Sequence, residues 1–234
     1  MEVPAPNWNW DQIASVIFDV DGTLYAQQRL RIYMARDLLT QCLTTGGGNT
    51  IAILRTYRRL REHAADAELR DFTEYLIDAT ALECHVKCQE VRQVIGEWIN
   101  ARPLLYLSKC RYRGIVDLFA ALRGSGKTVS VWSDYPAEEK LVALGLSADY
   151  IVSSEDPDVR FLKPHPRGLE VLLQRTGIPA SSSLVIGDRI ERDGHGARRA
   201  GAHALIRSSR QIAGWLTYAD YREDVFRPML ANRI

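Results

Sequence analysis

Val16-Ile17-Phe18-Asp19-Val20-Asp21-Gly22-Thr23-Leu24-Tyr25 is the stretch on which the reading of the whole chain turns. The apolar run over residues 14–18 has the length and β-branched content of a strand buried on both faces, and it stops at an acidic pair followed by glycine. Residues two apart on an extended chain point the same way, so Asp19 and Asp21 can both face whatever lies beyond the strand's carboxyl end. In open parallel sheets that end is where ligands bind. Two close carboxylates repel, which raises the proton affinity of one of them unless a cation intervenes. An oxygen-rich site of this kind suits Mg2+, which takes one or two carboxylates and shares its other positions with water and substrate phosphate. One aspartate could then attack while the other handles protons. As a bare motif, Asp-x-Asp-Gly is equally a turn after a strand.

Three further stretches lie outward from this one. Thr128-Val129-Ser130-Val131-Trp132 runs into Ser133-Asp134-Tyr135-Pro136, setting a hydroxyl at the end of another buried strand, where it and the following N–H groups can bond phosphate oxygens. In Phe161-Leu162-Lys163-Pro164-His165-Pro166 the first proline pushes the lysine toward extended geometry and the last can open a helix, so the ammonium group sits on a short, rigid connection. The chain has only five lysines (87, 109, 127, 140 and 163), which makes one at this place informative. Leu184-Val185-Ile186-Gly187-Asp188 is another strand ending on an acid, followed by Asp193 and the small residues Gly194, Gly196 and Ala197.

Asp19-Val20-Asp21-Gly22-Thr23-Leu24-Tyr25 resembles the first signature of the haloacid dehalogenase superfamily, DxDGT[LV], and the other three stretches resemble its remaining signatures in the expected order. The last of them, residues 187–201, is similar to GDx₄DxxGAxxAG. The resemblance implies an α/β core with a doubly wound parallel sheet, and a Mg2+-dependent phosphatase acting through an aspartyl-phosphate. It implies Asp19 as nucleophile and Asp21 as general acid and base. The metal would be held by Asp19, the main-chain carbonyl of Asp21 and Asp188, with Asp193 binding through water or orienting Lys163. Lys163, Ser133 and the adjoining Asp134 fall on the phosphate side. Asp134 departs from the asparagine often found there; a second acid beside phosphate would repel it, so it is expected to turn aside or to meet a substrate hydroxyl or a cation.

The wider sequence agrees with an ordinary soluble globule: 234 residues, 46% hydrophobic and 25% charged, with 30 basic against 29 acidic residues. Such a balance gives no field favouring nucleic acid or membrane. No apolar run reaches membrane-spanning length and residues 1–10 do not read as a signal peptide, so the expected location is cytoplasmic. Four cysteines in a chain of this size are expected to be reduced thiols. The partner expected is a small phosphorylated metabolite; oligomeric state is not legible.

Apolar residues at helical spacing predict helices over 27–45, about 49–65, 68–80, 83–100 and 113–123, with Gly46-Gly47-Gly48 ending the first. After residue 127 strands and helices alternate, with strands at 128–132, 150–153, 183–186 and 202–206. The expected organisation is a core of residues 12–25 and 108–234 with an all-helical cap, residues 26–107, inserted after the first signature. The aromatic tail, residues 211–234, reads as a helix packed on the core.

Three alternatives stand beside the phosphatase. A phosphomutase would use Asp21 equally well, a phosphonate-cleaving enzyme would need a cap lysine, of which Lys87 is the sole example, and a non-catalytic binding protein could keep the fold. Gly124-Ser125-Gly126-Lys127-Thr128 has part of a P-loop but precedes a strand, so it reads as a helix-ending turn. Cys84, His85 and Cys88 have no second ligand pair for zinc. Arg55, Arg58 and Arg59 share a helix face, with Glu62 placed to pair with Arg58 or Arg59.

Overall fold

The contiguous apolar runs become the strands of one parallel sheet in the computed structural model, which describes residues 8–45 and 48–231. These strands are β1 (Ser15–Phe18), β2 (Thr128–Ser133), β3 (Tyr150–Ser153), β4 (Ser183–Gly187), β5 (His203–Arg207) and the short β6 (Thr217–Tyr218), in the order β3-β2-β1-β4-β5-β6. Every residue of β1 is buried, as its unbroken apolar run requires of a central strand covered on both faces. Phe18 is level with Val131 of β2 and Ile186 of β4. The next residues, Asp19, Trp132-Ser133 and Gly187-Asp188, therefore emerge side by side. The order of strands reverses at β1, where connections leave toward β2 on one side and β4 on the other; a crevice opens at such a point.

Helices α1 (Gln27–Thr45), α2 (Gly48–Asp66), α3 (Phe72–Cys84), α4 (Cys88–Ile95) and α5 (Arg102–Cys110) stand between β1 and the rest of the sheet. Then come α6 (Ile115–Gly124), α7 (Glu138–Leu144), α8 (Arg167–Thr176), α9 (His195–Arg199) and α10 (Arg227–Leu230). The inserted helices have an apolar cluster of their own, around Ile53, Tyr57, Leu76, Val91 and Trp98, which closes over Leu162 and Tyr135 of the core. The glycine run expected to end α1 falls, at Gly46 and Gly47, outside the described residues.

Three expectations are corrected. The helix expected from residue 68 begins at Phe72, because Glu68 and Asp71 take left-handed backbone angles and the Asp71 N–H donates to the carbonyl of Arg160 in the core at 3.1 Å. The helix expected over 83–100 stops at Ile95 and passes through a wide π turn (Gly96–Ala101) into α5, which opens with Pro103 in its first turn. The tail is not one helix: it forms β6, a 3₁₀ turn (Asp224–Phe226) and the short α10. Its aromatic side chains are spaced as on a helix, yet β6 extends the sheet beside β5, and the Tyr221 hydroxyl donates to the Thr23 carbonyl at 2.8 Å.

The P-loop-like stretch ends α6 in a turn, as read. Lys127 donates to the carbonyls of Trp10 and Ile13, both at 2.6 Å, from a turn at Gly126. Cys42, Cys84, Cys88 and Cys110 form no disulfide. Among the described residues no helix is long and apolar enough to cross a membrane.

Candidate active site

The two acids of the first signature leave β1 into a cavity of about 770 Å³ between sheet and inserted helices. Asp19, Asp21, Asp134, Lys163, Asp188 and Asp193 line its core side, and Leu30, Met34, Leu54, Trp98 and Ile99 its apolar roof. Its size suits a small organic ligand.

Asp19 is buried; its Oδ1 accepts from Lys163 Nζ at 2.7 Å and its Oδ2 from the Thr23 hydroxyl at 3.0 Å. Lys163 reaches Asp193 Oδ1 at 2.7 Å as well, and its ammonium lies 4.7 Å from the centre of the Trp132 ring. Asp193 uses its other oxygen to accept the N–H groups of Asp188 and Arg189, at 3.2 and 3.0 Å. It therefore anchors the end of β4 and orients Lys163. Two close approaches require glycine. A Cβ on Gly22, whose φ is +101°, would lie 2.1 Å from Asp188 Oδ2, and one on Gly187 would lie 2.3 Å from the Asp193 carboxyl carbon.

Electrostatics in this pocket are lopsided. At the rim of the sheet the carboxylates of Asp19, Asp21, Asp188 and Asp193 lie together and are met by two ammonium groups, those of Lys163 and Lys140. Burial, opposed by the Lys163 charge and reinforced by Asp193 and Asp188, holds the Asp19 carboxyl well above the ordinary range. Burial, and then the Asp193 charge, push Asp188 up to about 7. Lys163 goes the other way: burial would discharge it, but Asp19 and Asp193 keep it charged. A divalent cation fits what is missing. Asp19, Asp188 and Asp193 each offer an oxygen within 4.8 Å of the others, and Asp188 Oδ1 is buried with no hydrogen-bond partner.

Two of the expected residues also make bonds within the protein. Ser133 stands at the end of β2 but is fully buried, accepting the Tyr135 N–H at 3.2 Å and leaving its own hydroxyl hydrogen to donate. Asp134 turns aside: its Oδ1 accepts the Ser154 hydroxyl at 2.8 Å and the Lys163 N–H at 2.9 Å, fastening the lysine segment to β2. That structural task spends this oxygen locally, in keeping with the expectation that a second acid beside phosphate turns aside.

Two groups escaped the sequence reading. Lys140, on α7, places Nζ 2.7 Å from both oxygens of Asp21, and the Tyr25 hydroxyl donates to Asp21 Oδ1. Burial would raise Asp21, but the Lys140 charge and these hydrogen bonds outweigh it and lower the carboxyl. One signal was available: Lys140 falls on the buried stripe Ala137, Lys140, Leu141, Leu144, where a lysine is out of place unless paired.

The second group is a clasp. Glu62 of α2 does not pair with Arg58 or Arg59; it accepts from Arg189 at 2.9 and 2.8 Å and from Arg192 at 2.8 Å, while Arg59 pairs with Glu83. Buried Arg192 also reaches Asp66 at 2.7 Å and the Lys163 carbonyl at 3.3 Å. Arg61, buried beside it, stacks 3.9 Å from the Tyr135 ring centre and donates to the Asp134 carbonyl. Arg192, buried and already bonded to Asp66 and the Lys163 carbonyl, costs less entropy to engage than a neighbour on an exposed helix face, so the tertiary partner prevails over local spacing.

Hydrogen bonds from Arg189 and Arg192, with their charges, lower Glu62 to about 2 from its ordinary 4.5. Its side chain is 53% exposed, so screening reduces the worth of the pair to about 1 kcal/mol. Glu62→Gln is therefore expected to lower stability in urea by about 1 kcal/mol near neutral pH. Because the folded-state value is depressed, that difference is complete above 4.5 and fades as pH falls toward about 2. A difference that persisted unchanged at the acid end would show that the clasp works through shape and not charge.

The fold and site together define a class: doubly wound α/β proteins with a helical insertion over a carboxylate and lysine centre at the sheet's rim. A family model described as hydrolase, haloacid dehalogenase-like hydrolase, matches residues 13–201, and the chain belongs to that family. The chain is 25% identical over 194 residues to the glyceraldehyde 3-phosphate phosphatase of Methanopyrus kandleri, covering 81% of each protein. Among solved structures it is similar to the HAD-hydrolase YfnB of Bacillus subtilis bound to magnesium, with a TM-score of 0.66, 18% identity, and 94% and 99% of the two chains covered. It is also similar to a 2-haloacid dehalogenase from Pseudomonas syringae, with a TM-score of 0.64, 18% identity, and 94% and 98% covered.

Proposed function

We propose that this hydrolase is a Mg2+-dependent phosphatase that cleaves a small phosphorylated metabolite through an aspartyl-phosphate, and that it works in the cytoplasm. The observation that carries the reading is the meeting of Asp19, Asp21, Lys163 and Asp188 along one side of a single cavity. In this reading Asp19 attacks phosphorus and the bond from phosphorus to the substrate oxygen breaks. Asp21 gives its proton to that departing oxygen. A water then attacks phosphorus, Asp21 takes the water's proton, and the bond to Asp19 breaks to release inorganic phosphate. General acid–base help of this kind is worth ~10²–10⁴-fold. An arriving phosphate dianion raises the proton affinity of Asp21, offsetting the pull of Lys140.

Lys163 faces the nucleophile and the transferring group as a fixed positive charge. Ser133 keeps a hydroxyl hydrogen for a phosphate oxygen. Mg2+, when bound by Asp19, the Asp21 carbonyl and Asp188, with Asp193 behind, would offset negative charge on the transferring phosphoryl group. The proposed division puts residues 12–25 and 108–234 in the core and 26–107 in the cap, which excludes water and selects substrate. The separate apolar cluster of the inserted helices supports it, although Leu30 and Leu107 pack with the core.

Structural kinship with dehalogenases makes halide displacement the competing chemistry. Asp21 argues against it, since haloalkanoate dehalogenases of the superfamily lack the second aspartate and use no magnesium. Lys87, exposed at the start of α4, does not line the cavity, which leaves a Schiff-base phosphonatase without its lysine.

Phosphate release across a panel of sugar, nucleotide and short-acid phosphates tests the proposal. Release is expected to stop with EDTA and to return with Mg2+. Activity indifferent to the chelator, or none on any phosphate with metal supplied, would overturn it.

A further inference from the structure

We propose that Lys140 is a positioning residue for this reaction, holding the Asp21 carboxylate in the one orientation from which it can serve the departing oxygen; the inference rests on the phosphatase reading above.

The geometry is specific. Lys140 Nζ is equidistant from both oxygens of Asp21, 2.7 Å each, and the Tyr25 hydroxyl holds Oδ1 from another direction. A carboxylate gripped by one donor can swing about its bond to Cβ; one gripped at both oxygens, with a further donor on one of them, cannot. Tyr25 is itself immobile, being buried and bridged by backbone to Arg111. The Lys140 stem is held by α7, and its ammonium lies 4.9 Å from the centre of the Tyr135 ring.

The Lys140 side chain is 7% exposed, and burying an ammonium group is costly unless it is paired. Among the described residues Asp21 is the carboxylate it pairs with. The other lysine of the cavity, Lys163, pairs with Asp19 and Asp193. The two acids of the first signature are therefore held by different lysines. An apolar residue would pack α7 on the sheet as well as Leu141 and Leu144 do, so the charge serves Asp21.

Misplacing a reacting group by about 1 Å can cost ~10²-fold. The loss falls where a proton must be delivered. The test is single-turnover kinetics with Lys140→Met, which keeps an unbranched stem and removes the charged group, on an alkyl phosphate and on 2,4-dinitrophenyl phosphate, whose leaving group departs without a proton. First-turnover kcat on the alkyl ester is expected to fall ~10²-fold with KM changed far less, the aryl ester to fall much less, and Lys140→Arg to recover most of the alkyl loss. If Lys140→Met fails to fold, Tyr25→Phe removes the other donor and is expected to show the same asymmetry in smaller degree. Equal slowing of both esters, or no slowing, would overturn the role of Lys140 while leaving the phosphatase reading intact. A wild-type chain inactive on both esters would instead remove the reading and the role with it.

Discussion

Asp19→Asn is expected to abolish phosphate release, by a factor on the order of 10⁴ or more, without loss of the fold. Removing the nucleophile of a set that acts as a unit costs nearly as much as removing the set. An amide of the same shape can still accept from Lys163, but it cannot form the acyl phosphate. Stability should not suffer. The folded protein carries Asp19 at a carboxyl affinity well above the ordinary range, so its ionised form is disfavoured there, chiefly by burial and despite Lys163. A neutral replacement removes one carboxyl group from the cluster it forms with Asp188 and Asp193, while Lys163 keeps Asp193 at 2.7 Å. The thermal midpoint of the variant, measured without metal, is therefore expected to equal or exceed that of the wild type. Turnover of an aryl phosphate at the wild-type rate would show that another residue attacks phosphorus.

Lys163→Met should damage both activity and stability, and the two losses can be separated. Lys163 is 1% exposed and bonds Asp19 and Asp193 at once. Taking one partner from a buried ion pair costs ~3–5 kcal/mol, because the charge left behind has neither water nor a counterion. Here two carboxylates are left, close to Asp188 as well. Urea unfolding of the variant is expected to show a loss of that size. Adding Asp193→Asn removes one stranded charge and is expected to return part of the stability; it should return none of the activity, since the phosphoryl group still lacks its fixed cation. Recovery of activity in the double variant would mean that Lys163 acts only as a structural counterion.

The readable parts of this protein are those decided by neighbours in sequence. β1, β2, β3, β4 and β5 all lie where short apolar runs stop at polar residues, and α1 matches its expected span of residues 27–45. Runs buried on both faces carry their own evidence, because nothing else keeps Val, Ile and Leu contiguous. The acids and the lysine at the ends of such runs could be named for the same reason. Where long-range partners compete with local preference, reading along the chain fails. The start of α3 is set by a bond to Arg160, the tail by pairing with β5, and Glu62 by guanidinium groups more than a hundred residues away.

The amino-acid sequence alone determined the parallel sheet, the helical insertion and the residues that arrive at the sheet's rim, because strand burial and the stop at each strand end are properties of contiguous residues. Tertiary structure alone decided which charges meet. It gave Asp19 to Lys163, Asp21 to Lys140 and Glu62 to Arg189 and Arg192, and it bonded Asp134 to Ser154 and to the Lys163 backbone. Ion pairing depends on separations of a few ångströms between groups far apart along the chain, and only the packed elements set those separations.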